Sequence, residues 1–371
     1  MSGTARYISQ TLALIRKELL ALFKDPSNRA LLFAPALMQT LLFGYGATFD
    51  LNHAPFAVLD HSNSAASREV IARIEGTGVF TRVADLQNSD QIADPIDSGE
   101  ALAVLVFPHR FEADLAAGGP APVQVILDGR NSATAGLASA QLATIVAQFN
   151  ADQLGATAPV RLIRRAWYNP NFQSRWHLMP AMIASLSMLQ TLLLAALSVA
   201  REREQGTFDQ LLVTPLAPTQ ILIGKALPSI VVGLVQSLII FLIILLWFRI
   251  PMAGSVWLLF GGLLVFTTAS VGIGLSVSAV SVTMQQAMLY TFMLMMPLML
   301  LSGLLTPIGN MPQILQWVTY ANPLRFGIDI VRRVYLEGAG LHEVAHSFVP
   351  LLIVAAVTLP AAAWLFRHRL Y

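Results

Sequence analysis

The chain has 371 residues, of which 55% are hydrophobic and 12% charged, with a formal charge of +2 and no cysteine. About half the usual share of charge is too little to clothe a soluble fold of this size, so the composition points to a membrane protein. It excludes disulfides and thiolate metal sites. The slight basic excess of such a chain records topology rather than nucleic-acid binding.

Residues 1–29 form a charged, amphipathic lead. Within 8–24, Leu12, Ile15, Leu19, Leu22 and Phe23 recur at helical spacing, with Arg16, Lys17 and Lys24 on other faces. This predicts a helix lying at the membrane interface, with Arg16, Lys17, Leu19 and Phe23 as its characteristic residues. The first long apolar run, 30–49, starts too late for a cleavable signal and reads as a retained span.

Residues 50–177 differ in kind. The stretch 50–176 holds 13 of the 21 acidic residues and 9 of the 23 basic ones. PFAVLD (55–60), ALAVLVFP (101–108) and PVQVILDG (122–129) read as strands, and SREVIARIEG (67–76) and 132–153 as helices. This predicts an inserted α/β domain in water. GRNSATAG (129–136) lacks the phosphate-loop pattern and reads as a turn before a helix.

Five more spans follow, at roughly 178–200, 226–247, 256–279, 286–305 and 347–366. No Asp, Glu, Lys or Arg occurs in the 75 residues from Ile250 to Leu324. That is too long for one core helix and enough for two spans. Residues 306–346 hold two short amphipathic pieces separated by Asn322-Pro323, placed on the interface or dipping into it. Basic residues of the lead, of the 201–225 link and of the tail fall on one side of a six-span layout. The positive-inside rule makes that side cytoplasmic and puts the α/β domain outside. Arg325, Arg332 and Arg333 run against the rule, with Asp329 and Glu337 as i,i+4 partners.

The predicted fold is therefore an α-helical polytopic membrane protein. It has six transmembrane helices, cytoplasmic termini and an inserted extracytoplasmic α/β domain. No ionisable residue sits at mid-depth, which argues against proton- or sodium-coupled transport. Intramembrane serines lack a His or Asp at matching depth. With Gly233, Gly261, Gly262, Gly272, Gly274 and Ser276 they suit close helix packing better than catalysis. No Walker A sequence is present, so the chain is not expected to be an enzyme and ATP would have to be used by another subunit.

One stretch is more specific. Residues 202–225 read EREQGTFDQLLVTPLAPTQILIGK. Their order is an acidic turn, Gly-Thr, a short apolar helix, a Pro elbow and Gly-Lys at the re-entry. Gly206 permits a turn and Thr207 can cap the short helix after it. Phe208, Leu211 and Leu212 offer an apolar face to a partner, and Glu202 and Glu204 can pair with its basic residues or with Arg201 and Arg203. The stretch resembles the signature between the second and third spans of ABC-2 type transporter permeases. Glu204, Gly206, Thr207, Asp209, Leu211, Thr214, Pro215, Gly224 and Lys225 match it. Residues 300–338 resemble the family's late segment at Ser302-Gly303, Pro307, Asn310-Met311-Pro312 and Asn322-Pro323-Leu324.

The resemblance, to the multidrug-exporter-like branch with a large periplasmic domain, implies a multi-pass permease of the bacterial inner membrane. Two permease subunits, a homo- or heterodimer, would form the path. Cytoplasmic ABC ATPase subunits would drive it with ATP and Mg2+, and no cofactor is expected on this chain. Coupling to the ATPase would fall on Glu202 to Pro215 and the interface helix. A periplasmic adaptor and an outer-membrane channel are further implied partners. The expected cargo is amphiphilic or hydrophobic. Export of lipid, polymer or ions, and a scaffold that moves nothing, are the competing readings.

Overall fold

The computed structural model describes residues 3–24, 26–46, 51, 53–130, 132–153, 174–208 and 216–368. The chain forms two compact units, Met1–Thr48 with Trp167–Tyr371, and Phe49–Ala166. Two helices open the chain, α1 (Gly3–Lys24) and α2 (Pro26–Gly46).

The second unit begins with β1 (Ala54–Asp60), α3 (Ala65–Glu75), β2 (Phe80–Leu86) and α4 (Ala93–Asp97). It continues with β3 (Ala103–Phe107), α5 (Phe111–Ala116), β4 (Gln124–Leu127) and α6 (Ser132–Gln153). The sheet order is β2-β1-β3-β4. β1 runs parallel to both neighbours, with Val58 opposite Leu105, and β4 closes antiparallel to β3. A central parallel strand is buried on both faces, and β1 is accordingly an apolar run. α6 places Ala138, Leu142, Ile145 and Phe149 on one face, at helical spacing, against Phe56, Phe80, Phe107 and Phe111. Ser64 and Ser67 form a capping box at the start of α3, and Asp60 Oδ2 accepts from Ser67 Oγ at 2.6 Å. β2 was not expected from sequence: Thr81, Arg82 and Val83 are exposed on this edge strand, which breaks the apolar pattern. Within the 129–136 stretch, Gly129 and Arg130 form a turn and α6 begins at Ser132; Arg130 reaches the Asp128 carboxylate at 2.8 Å and the Ile96 carbonyl at 2.5 Å.

The first unit resumes with α7 (Ser174–Glu204), α8 (Pro218–Leu242), α9 (Val256–Val280), α10 (Met284–Leu300), α11 (Gln313–Val318), α12 (Pro323–Arg332) and α13 (Leu341–His368). Among the described residues, four stretches are long and apolar enough to cross a membrane: Ser174–Glu204, Thr219–Trp247, Val256–Val280 and Leu341–Phe366. Two expected spans fall short of that measure. α10 has 17 residues and stops at Leu300, not 305, because Gly303 turns the chain with φ +81. α2 is diluted by Arg29 and Gln39. It is nonetheless held at both ends. Phe33 stacks on Phe23 of α1, and Tyr45 accepts from Trp247 Nε1 at 2.8 Å.

α12 does not lie on a surface. Seven of its residues are buried, among them Leu324, Phe326, Ile328 and Val331. Its Gly327 lets the Phe266 ring approach to where a Cβ would sit at 2.6 Å. Asn322 caps it by accepting from Leu324 N at 3.0 Å, and its amide donates to Leu298 O at 2.7 Å, which ties α12 to the end of α10. A π turn, Arg333–Glu337, extends α12. Tyr335 donates to Ile250 O at 2.8 Å and accepts from Ala253 N at 2.8 Å. Of the expected ion pairs only Asp329–Arg333 forms, at 3.1 Å. Arg325 stacks on Tyr320 at 4.3 Å and donates to Thr319, and Arg332 reaches the Gly303 carbonyl at 3.4 Å.

Helix contacts in this unit rest on small residues. A Cβ on Gly274 would stand 2.7 Å from the Leu192 carbonyl oxygen, and one on Gly272 would strike Thr358. Gly261, expected to act likewise, faces open space. Gly274→Leu should therefore cost at least about 1–3 kcal/mol, since backbone cannot yield as a side chain can. Gly261→Leu should be near neutral. Thermal melting of the two purified variants in one detergent checks the contrast.

Candidate coupling site

Three helices meet at the end of α7. α1 lies along the first turns of α8. Gly224 has no side chain where Leu14 docks, and any Cβ there would overlap the leucine. Gln220, 2% exposed, donates to Tyr7 O at 3.0 Å and Thr11 Oγ1 at 3.3 Å. Tyr7 OH meets Thr219 Oγ1 at 3.0 Å. The face that α1 buries thus carries Thr11 and Leu14, whereas Leu12 of the expected apolar stripe is exposed.

At the centre is an ion cluster. Lys225 of α8 has a side chain only 1% exposed, and its Nζ lies 2.8 Å from Glu202 Oε2 and 3.6 Å from Glu18 Oε1. The same Nζ donates to Ser198 O at 3.1 Å. Lys17 closes the cluster at 3.3 Å from both Glu18 and Glu202. The 2.8 Å contact is an ion pair by distance but lies off the angle of a hydrogen bond, so Glu202 Oε2 has no aligned donor. Burial of an ammonium is costly unless carboxylates answer it, and here two do, from two other helices. A cavity of about 570 Å³ beside the cluster is also lined by Arg201 and Gln205. Burial tends to lower the Lys17 pKa, but Glu18 and Glu202 outweigh it and hold it above its ordinary value. Lys17 therefore adds stability through neutral pH and loses it only as pH rises through that raised value. Its side chain is 58% exposed, so the contribution is small.

Beyond the cluster α7 ends in a Schellman motif. Thr207 N donates to Glu202 O at 3.0 Å and Gly206 N to Arg203 O at 3.1 Å, with Gly206 at φ +68. Gly206 makes the expected turn. Thr207 bonds back to α7 within the described residues. Arg203 and Glu204 hold the turn between α9 and α10. Arg203 donates to Ala279 O at 3.0 Å and Ser281 O at 3.2 Å, at the C-terminus of α9. Glu204 accepts from Met284 N at 2.7 Å, at the N-terminus of α10. Each charge matches the helix end it meets.

The structure thus brings Lys17, Glu202 and Lys225 together and sets Arg203 and Glu204 on a neighbouring turn. Glu202 and Glu204 are engaged within the chain, but not with Arg201 and Arg203 as partners. Phe208 is 9% exposed, its ring 5.1 Å from the Arg203 guanidinium. Leu19 is half-buried, Phe23 packs on Phe33, and Arg16 is exposed. Asp209, Leu211, Leu212, Thr214 and Pro215 lie outside the described residues. Glu18 and Gln220 were not singled out from sequence. Glu18 sits beside Lys17 in a helix whose other charges are basic, and Gln220 lies one turn before Gly224-Lys225. Among the described residues no group of His, Asp or Glu is placed to hold a metal ion.

Lys225→Met should destabilise the chain by about 3 kcal/mol, because it leaves the buried Glu202 carboxylate with only the exposed Lys17 ammonium to answer it. Adding Glu202→Gln should restore most of that loss. A double-mutant cycle on thermal melting in detergent reads both.

Comparison with known proteins agrees with this architecture. A family profile described as ABC-2 family transporter protein matches residues 30–364. The probable multidrug ABC transporter permease YbhR of Escherichia coli (strain K12) is 41% identical over 96% of this chain and 98% of its own. YbhS of the same organism, also a probable multidrug ABC transporter permease, is 27% identical over 96% of each chain. The inner membrane transport permease YhhJ, again of that strain, is 26% identical over 92% of this chain and 95% of its own. With a profile spanning most of the sequence and a relative this similar end to end, the chain belongs to the ABC-2 family of transporter permeases, as a multi-pass protein of the inner membrane.

Proposed function

We propose that the chain is the permease subunit of an ATP-driven exporter that moves amphiphilic or hydrophobic, drug-like compounds outward across the inner membrane. Cytoplasmic ABC ATPase subunits would bind and hydrolyse ATP with Mg2+, and this chain would carry no cofactor. Two permease subunits would enclose the path. The similarity to YbhR and YbhS, both named probable multidrug ABC transporter permeases, supports a multidrug cargo. A periplasmic adaptor and an outer-membrane channel would complete the route.

The observation that carries the reading is the ion cluster. The signature stretch 201–225 is bound to α1 through Lys17, Glu18, Glu202 and Lys225. A push on either element from an ATPase would move both, together with α7 and α8. Arg203 and Glu204 extend the linkage to α9 and α10. A discrete displacement carried by packed helices is the kind of change that alters access to a path. In the six-span layout, α2 and α10 serve as the first and fifth spans, the termini are cytoplasmic, and residues 50–177 lie outside. Engagement of Arg325, Arg332 and Arg333 within the fold eases their conflict with the charge rule.

Glu204→Lys should leave ATPase assembly intact and lower transport about tenfold, a coupling loss of one to two kcal/mol. Co-purification of the ATPase and ATP-dependent dye uptake into inverted vesicles measure the two separately. Transport at the wild-type rate would remove the coupling role, and failure of any ATPase to co-purify with the wild type would favour a scaffold. Protease added to right-side-out spheroplasts should cut within 50–177. Protection of that domain there, with cleavage in inverted vesicles, would reverse the topology.

A further inference from the structure

The α/β unit contains a cleft unrelated to the coupling site. Its volume is about 980 Å³, and it lies between α3, α5 and α6 over one face of the sheet. That is at the upper end of the size of small-molecule sites. The floor is core, with Leu105 and Phe111 each 2% exposed, and Leu115, Val123 and Val146 form half-buried walls. The mouth is bordered by Ala116–Ala121, whose sequence is AAGGPA. Small residues there leave the opening wide.

The charge at this cleft has one sign. Its lining includes Glu69 and Glu112 and no Lys or Arg. The cation beside it, Arg73, binds Glu69 at 2.6 Å and Asp152 at 2.6 Å, so one guanidinium answers two carboxylates and Glu112 adds a third. Arg73 also stands 5.3 Å from the ring centroid of Phe149, a residue of the cleft wall. A planar cation held between carboxylates and an aromatic face is thus already part of this structure.

We infer that the cleft is a binding site for a small amphipathic organic cation, its apolar body over Leu105 and Leu115 and its charge toward Glu112. An anion would meet the carboxylates, and a neutral compound would forgo the charge contact. Its role as a station for cargo rests on the export reading. Its existence as a site does not.

The test is ethidium binding to the full-length chain in lipid nanodiscs, followed by fluorescence. The comparators are neutral phenanthridine and anionic anilinonaphthalene sulfonate. Ethidium should bind saturably and in preference to both. Glu112→Gln, at an exposed position, should weaken it about tenfold, as the loss of one charge contact would. Ala143→Trp, which fills the cleft from α6, should abolish binding. Ala147→Trp, exposed on the same helix but outside the lining, should not change it. Equal affinity in wild type, Glu112→Gln and Ala143→Trp would overturn the site, as would sulfonate binding as tightly as ethidium or no saturable ethidium binding at all. No ATPase subunit enters this measurement, so its failure is separate from a failure of export.

Discussion

Lys225 is a charge at the entry of an apolar helix, almost wholly out of contact with water. An ammonium so placed requires carboxylates, and they arrive from α7 and α1. Two consecutive helices and a third from the far end of the sequence are thereby fixed to one another by electrostatics rather than by shape alone. The adjoining Gly224 makes this geometrically possible, since α1 reaches Glu18 over the cluster only by docking Leu14 where a side chain would otherwise stand. The Gly-Lys pair of the family signature is, in these terms, a contact surface followed by an anchor.

The turn after α7 extends the same logic without burial. Arg203 and Glu204 are neighbours in sequence with opposite charges, and they face opposite ends of two successive helices. Both helix ends present unsatisfied backbone groups, so both side chains find partners that cost little reorganisation. Through its described residues the short link is therefore connected to four long helices and to the amphipathic lead.

Much of this was legible beforehand. The long apolar helices follow from the absence of charge, and the α/β insertion from the sudden return of charge and turn residues. The signature singled out the stretch in which Glu202 and Lys225 of the ion cluster lie. Three things were less legible. β2 carries Arg82 and Asp85 on an edge strand, where alternation is weak because only part of its surface is covered. The α12 segment has an amphipathic pattern suited to an interface, yet Gly327 and the Asn322 cap let it enter the bundle, a tertiary preference no local periodicity encodes. Glu202 and Glu204 looked like charges awaiting a partner protein. Their partners lie 185 residues upstream and 80 downstream, at Lys17 and Met284, and long-range pairing of this kind leaves no periodic trace.

The brevity of α10 has a consequence for the lipid around it. Seventeen residues rise about 25 Å, against about 30 Å of hydrocarbon in an ordinary bilayer. Its exposed flank carries Leu289, Phe292, Met293 and Met296, an apolar surface suited to acyl chains. Where such a helix crosses, the bilayer thins locally or the helix stands nearly upright, since tilt would shorten its reach further. In the proposed six-span layout the hydrophobic mismatch would thus fall on one side of the permease, and the thickness of the host membrane would become a variable acting on the helix that Glu204 caps.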